Sequence, residues 1–128
     1  MKLLSVCGLT HRSGNYLVVQ RAAGGSQGLK WEFPGGKVEA NETPAQAVVR
    51  EWQEELGLNV EASGLRFSSM FSNGEKTYEL QAWSVELGTQ EPGLREHVNA
   101  CWLKPEELIR LDLSDSDRAI AELLLTQG

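Results

Sequence analysis

A chain of 128 residues, 41% hydrophobic and 23% charged, has the balance of one soluble globular domain, residues 1–128, long enough to bury a core without staples. Its net charge of −6 argues against a protein that grips a nucleic-acid polymer by its phosphates, and no apolar run reaches the length of a membrane span. Cys7 and Cys101 stand far apart and outside any CxxC spacing, which argues against a disulfide framework and structural zinc.

The opening MKLLSVCGLT has a basic residue before a short apolar run, as a secretory leader does, but HRSGNYLVVQ continues it as a turn and a second strand. The reading is therefore cytoplasmic. Leu3 to Thr10 and Asn15 to Gln20 are apolar, β-leaning runs joined by the turn-rich RSGN, and predict a hairpin. Arg21 to Lys30 carries three glycines and predicts a mobile loop. Trp31-Glu32-Phe33 is a short strand that stops at Pro34, and the Phe33-Pro34-Gly35-Gly36 turn lets backbone approach a ligand closely.

The next element has clear ends. Thr43 is an N-cap, Pro44 suits the first helical position, Gln46 completes a capping box, and Gly57 fits the left-handed residue past the C-terminus. Ala45, Val48, Val49, Trp52 and Leu56 follow the spacing of one buried stripe. At roughly 100° per residue, Glu51 and Glu55 fall on a flank away from the centre of that stripe, with Glu54 further round. Three carboxylates on one side of a helix repel each other unless a cation is expected there, and fixed oxygens at short range are what a hard divalent cation takes. A plain solvated face is the alternative.

Beyond the helix, Leu65 to Phe71 and Thr77 to Val85 flank SNGEK, where Asn73-Gly74 signals a hairpin. Asn99 to Leu103 reads as a last strand and Pro105 to Ile109 as a short helix. A closing helix from about Asp115 to Leu125 follows Ser114, whose spacing to Asp117 resembles a capping box.

Gly36, Glu42, Arg50, Glu51, Glu54, Glu55, Gly57 and Leu58 together match the Nudix box, with the intervals correct over 36–58. WEFPGGKVEANETPAQAVVREWQEELGL, the upstream QRAA and the late EHVNACW and DSDRAI also resemble MutT-type members of the Nudix family. That resemblance implies an α/β fold, an α/β/α sandwich around a central mixed sheet. It also implies a Mg²⁺-dependent hydrolase, Mn²⁺ being a substitute, that splits a nucleoside triphosphate into monophosphate and pyrophosphate by water attack at the β-phosphorus.

Carried over by position, Glu51 and Glu55 are the principal metal ligands and the Gly35 carbonyl a further one. Glu54 is a ligand or the base, Glu42 holds metal through water, and Glu96 is either an extra carboxylate or a solvated loop acid. Arg50 orients the carboxylates. Arg21, Glu32, Phe33, Pro34 and Gly35 are placed on the substrate side, with Trp31 and Phe33 either lining the base pocket or in the core. Asp117, with Asp115 as fallback, occupies the position from which relatives read the base. The partner is a small nucleotide, to a monomer or homodimer, without membrane.

There are departures. Trp52 stands where the box has a bulky aliphatic residue, and Asn41 replaces a glycine at a turn that an asparagine can still make. Ser26 replaces a histidine, and the absence of proline between Leu58 and Glu91 disfavours ADP-ribose as substrate. Cys7 and Cys101 read as buried apolar fillers, and His97 as a lone loop histidine. Guanine-type triphosphates, oxidised dGTP included, are the favoured substrates. CTP or a modified dCTP is the runner-up; a non-catalytic nucleotide-binding module and cleavage of RNA 5′ ends or dinucleoside polyphosphates remain as alternatives.

Overall fold

The computed structural model describes residues 2–127; Met1 and Gly128, the ends of the expected domain, lie outside them. In chain order the elements are β1 (Lys2–Leu9), β2 (His11–Arg12), β3 (Asn15–Gln20), β4 (Trp31–Glu32), β5 (Gly35–Lys37), α1 (Pro44–Leu56), β6 (Glu61–Asn73), β7 (Lys76–Glu86), β8 (Asn99–Leu103), α2 (Pro105–Leu108) and α3 (Asp115–Gln127). One mixed sheet has the order β5-β1-β7-β6, with β1 parallel to β7 and the other pairs antiparallel. A second, antiparallel sheet joins β2, β4 and β8 to β3.

Strands β1 and β3 are apolar on both faces. Tyr16 and Val18 face one core with Cys7, Phe33 and Leu80 against α2 and α3, while Leu17 and Val19 face another with Val6 against Val48, Trp52 and Leu56 of α1. Period-2 alternation thus sends neighbouring residues into two cores, and helices cover both, giving the expected α/β/α layering.

The hairpin expected between 3–10 and 15–20 is corrected. These runs lie in different sheets, because β1 takes β7 as parallel partner from Lys2↔Thr77 to Leu9↔Ser84. The tight turn exists, but Ser13 and Gly14, at φ 52° and 84°, close only the short β2–β3 pair. The glycine turn also differs: Gly35 and Gly36 continue as β5, paired with Cys7 and Val6 of β1. The loop at 21–30 is closed at its base by the Arg21 N–H donating to the Lys30 carbonyl at 2.9 Å.

Helix α1 has the predicted ends: the Thr43–Gln46 capping box forms, and Gly57 is left-handed at φ 66°. Asn41 is left-handed too, at φ 67°, so the turn survives its missing glycine. The buried stripe is rotated from the expected one. Ala47 is fully buried, Val49 is 37% exposed, and Glu55 is only 3% exposed.

Trp52 is buried without remainder, and its indole N–H donates to the Pro34 carbonyl at 3.0 Å, which also accepts from the Gly8 N–H at 2.9 Å. A methyl group on Gly8 would stand 2.5 Å from the indole nitrogen. Gly8→Ala is therefore expected to cost about 1–3 kcal/mol by overpacking, and under about 1 kcal/mol in a Trp52→Leu background. Urea unfolding of the four members of this cycle measures the difference; equal costs would remove the Gly8–Trp52 coupling.

Candidate active site

Three pieces of chain meet at the N-terminal half of the site. The indole and Gly8 hold the Pro34 carbonyl, so the chain passes from β4 to β5 with Gly35 against β1. A Cβ on Gly35 would fall 2.0 Å from the Val6 carbonyl oxygen, and one on Gly36 would fall 2.6 Å from the Glu51 carboxyl carbon. Glycine at both positions lets the β5 backbone lie against the carboxylates of α1.

The third piece is the loop before β8. It caps the C-terminal carbonyls of α1: the Gly93 N–H donates to Leu56, the Arg95 N–H to Glu55, and the Arg95 guanidinium to Gln53. The Val98 N–H then donates to Gln20 at 3.0 Å. This anchoring carries Glu96 and His97 over the end of the helix, where Glu55 lies.

The result is a cavity of about 340 Å³ in which Gly35, Glu51, Glu55 and Glu96 meet Arg21, Glu32 and His97. Glu42 and Glu54 do not line it. Both are engaged by Arg50, which spans the cluster: its guanidinium donates to Glu42 at 2.7 and 3.1 Å, to Glu51 at 2.7 Å and to Glu54 at 3.3 Å. The Arg50 hydrogen bonds, and then the Glu39 N–H, hold the Glu42 carboxyl below its usual range. Burial first, then the neighbouring Glu51 carboxylate and the charges of Glu32 and Glu96, push the Glu55 carboxyl far above it.

The donor set suits a hard divalent cation. Glu55 Oε2 is buried with no hydrogen-bond partner among the described residues, a costly state for a carboxylate oxygen unless a cation satisfies it. The surrounding donors from Glu51, Glu96 and the Gly35 carbonyl are all oxygens, the ligands magnesium and manganese take.

A larger cavity of about 580 Å³ adjoins the first and shares Arg21, Glu32 and Gly35 with it. Phe33 lines it, as the sequence led one to expect, but Trp31 does not and instead packs on the core below α2 and α3. Asp117 lines it and is 7% exposed, whereas Asp115 is exposed at its rim. One Asp117 oxygen accepts from the Phe33 N–H at 2.9 Å and the other from the Ser114 hydroxyl. Asp117 therefore ties α3 to the end of β4 through its carboxylate, where the spacing alone pointed to a capping box. Burial pushes it up to about 6, against the pull of the Ser114 and Phe33 hydrogen bonds.

Sequence reasoning missed three residues. Phe71 and Tyr78 stack at 4.9 Å and 10° on the large cavity; their register follows from the hairpin, so the pairing was available from the turn. His97 was set aside, yet its side chain is 6% exposed, with Nε2 2.9 Å from Glu32 and 3.5 Å from Glu55. Among the described residues Cys7 and Cys101 are both free; Cys7 is buried as expected, whereas Cys101 is only half-buried, packed against the edge of the core.

The NUDIX domain model matches residues 1–124. The CTP pyrophosphohydrolase of Escherichia coli (strain K12) is 33% identical over 126 residues, covering 98% of this chain and 93% of that protein. The 8-oxo-dGTP diphosphatase of the same strain is 35% identical over 115 residues, covering 89% and 87%. The solution structure of the E. coli ORF135 protein has a TM-score of 0.88 at 32% identity, covering 98% of this chain and 89% of that one. The chain belongs to the Nudix family and is a hydrolase of pyrophosphate bonds.

Proposed function

We propose that this protein is a Mg²⁺-dependent nucleoside triphosphate pyrophosphohydrolase, with Mn²⁺ as a substitute, acting in one domain on the free nucleotides of the cytoplasm. The observation that carries the reading is the pair of joined cavities: one holds the carboxylates, the other ends on the buried acceptor Asp117. An extended nucleotide laid across them puts its phosphates at Glu51 and Glu55, its sugar near Arg21 and Glu32, and its base at Asp117.

Glu51, Glu55, Glu96 and the Gly35 carbonyl would hold the cation, with Glu42 acting through water. When bound, the cation neutralises phosphate charge and lowers the pKa of a coordinated water. Arg50 keeps Glu51 and Glu54 aimed, and Glu54, exposed and reachable by solvent, serves as ligand or proton acceptor. Arg21 meets phosphate or sugar.

A screen of pyrophosphate release over normal and oxidised nucleoside triphosphates tests the reading. It should give pyrophosphate and monophosphate in equal amounts, fastest with guanine-type bases. Release of orthophosphate, or of nothing with Mg²⁺ and Mn²⁺ both tried, would overturn it. The names of the two E. coli relatives bracket the choice of base, since one concerns CTP and the other 8-oxo-dGTP.

Asp117 gives that choice a pH dependence. Above about 6 it is ionised and only accepts, which suits the adjacent N1–H and amine of guanine. Below that pH it is protonated and can donate to N3 of cytosine while accepting from the amine. The guanine-to-cytosine ratio of kcat/KM should therefore rise as pH rises through about 6. Asp117→Asn keeps an acceptor for the Phe33 N–H and adds a fixed donor. It should shift the ratio towards cytosine by about tenfold or more and abolish its pH dependence. Asp117→Ala would also leave the Phe33 N–H unpaired and confuse stability with specificity. If Asp115→Asn moves the ratio instead, the base is read one turn edge away.

A further inference from the structure

His97 has no role in the assignments above, yet it is the most enclosed titratable side chain of the loop that carries it. The ligand atoms of Glu32, Glu55 and His97 lie within 4.8 Å of one another, a grouping that admits a metal ion as readily as a hydrogen bond. The tautomer decides between them. Nδ1 is buried with no hydrogen-bond partner among the described residues. Were the hydrogen on Nδ1, it would be an orphaned buried donor, costing about 1–3 kcal/mol, and the Nε2 lone pair would face a carboxylate oxygen at 2.9 Å. A metal-bound imidazole likewise donates its other N–H to a partner, which Nδ1 lacks. With the hydrogen on Nε2, both difficulties vanish: Nε2–H donates to Glu32, leans towards Glu55 at 3.5 Å, and leaves only an aromatic lone pair unpaired.

The two carboxylates it touches have different allegiances. Glu32 lines both cavities and is held from its other side by Arg21 at 3.3 Å, whereas Glu55 belongs to the carboxylate cavity alone. They arrive from β4 and from α1, two elements that share no hydrogen-bonded ladder, and two acids side by side repel.

We propose that His97 is a positioning residue: its Nε2–H donates to Glu32 at 2.9 Å and holds that carboxylate beside Glu55, 3.5 Å from the same nitrogen, and so keeps the nucleoside cavity and the carboxylate cavity in register. The inference rests on the metal-dependent reading above.

His97→Leu removes the donor, and His97→Gln restores one near the Nε2 position. With Mn²⁺ alone as probe, titrated by electron paramagnetic resonance, His97→Leu should weaken Mn²⁺ binding by about tenfold, as loss of a residue that orients a ligand does. At saturating Mn²⁺, with dGTP and CTP as substrates, kcat should recover to within about threefold of the parent while KM stays raised about fivefold, because Glu32 remains unheld. His97→Gln should return both quantities to within about threefold of the parent.

Unchanged Mn²⁺ binding and KM in a folded His97→Leu protein would overturn the proposal, as would a glutamine variant no better than the leucine one. A ¹⁴N coupling from an imidazole in the Mn²⁺ complex, lost in His97→Leu, would also overturn it by making His97 a ligand. Should His97→Leu not fold, ¹⁵N spectra of the parent decide: the Nε2–H tautomer is expected, and an Nδ1–H tautomer sinks the idea. If the parent binds no Mn²⁺, the metal-dependent reading itself falls, an outcome recognisable before any variant is made.

Discussion

Glu51→Gln is expected to fold as the parent does and to lose about two orders of magnitude or more in kcat, with Mg²⁺ saturating. The side chain is 18% exposed, between Arg50 and the cavity, and its Oε1 accepts from the Arg50 guanidinium at 2.7 Å. A glutamine keeps that bond by turning its carbonyl to Arg50, so packing and the helix survive. Its amide group then points where a carboxylate oxygen stood, replacing an acceptor for a cation with a donor that repels one. Arg50 retains Glu42 and Glu54 as partners, which limits the structural cost. Thermal melts should therefore stay close to the parent's while pyrophosphate release falls. Parental turnover in this variant would remove Glu51 from the metal set.

How much of this was open to reading depends on how local the cause is. The ends of α1 were legible because Thr43, Pro44, Gln46 and Gly57 act within a turn of where they stand. That Glu51 and Glu55 share one side of α1 was legible from helical spacing, whereas the engagement of Glu42 and Glu54 by Arg50, away from the cavity, was not. What resisted was long-range. Nothing near Leu3 or Asn15 says that β1 will run parallel to β7 rather than fold back on β3, since that choice is made by residues 75 positions away, as in Lys2↔Thr77.

The burial of Glu55 was hidden for the same reason. A glutamate in a helix reads as solvent-facing until the loop carrying Arg95 and His97 is known to cap the end of α1 and close over it. His97 was discounted as isolated in sequence, and only the fold brings it to Glu32. Trp52 was rightly placed on the buried face, but its hydrogen bond to Pro34 could not be foreseen from the stripe.

Glu55→Gln should give the opposite signs in stability and activity. In the protein without cation, Glu55 is 3% exposed and one of its oxygens has no hydrogen-bond partner among the described residues, so ionising it there is costly. Its folded proton affinity is raised above that of the unfolded chain. The sign follows: protonation stabilises the fold fully below the unfolded value of about 4.3, and that stabilisation is lost as pH rises towards the raised folded value. At pH 7.5 the parent without cation thus bears a penalty that a neutral glutamine avoids. The variant, metal-free, should be more stable by about 1–3 kcal/mol, or roughly 3–5 °C in Tm for each kcal/mol. Between pH 5 and 8 the parent's Tm should fall and the variant's stay nearly level. Added Mg²⁺ or Mn²⁺ should raise the parent's Tm, as any ligand of the native state does, and should barely move the variant's. Activity should drop by about two orders of magnitude or more, because the group that destabilises the empty cavity is the one that holds the cation. Melting curves with and without Mn²⁺ over this pH range, set beside turnover, check all of it. A variant that is less stable than the parent without metal, and that still responds fully to Mn²⁺, would show that Glu55 is a structural acid and that the cation is held elsewhere.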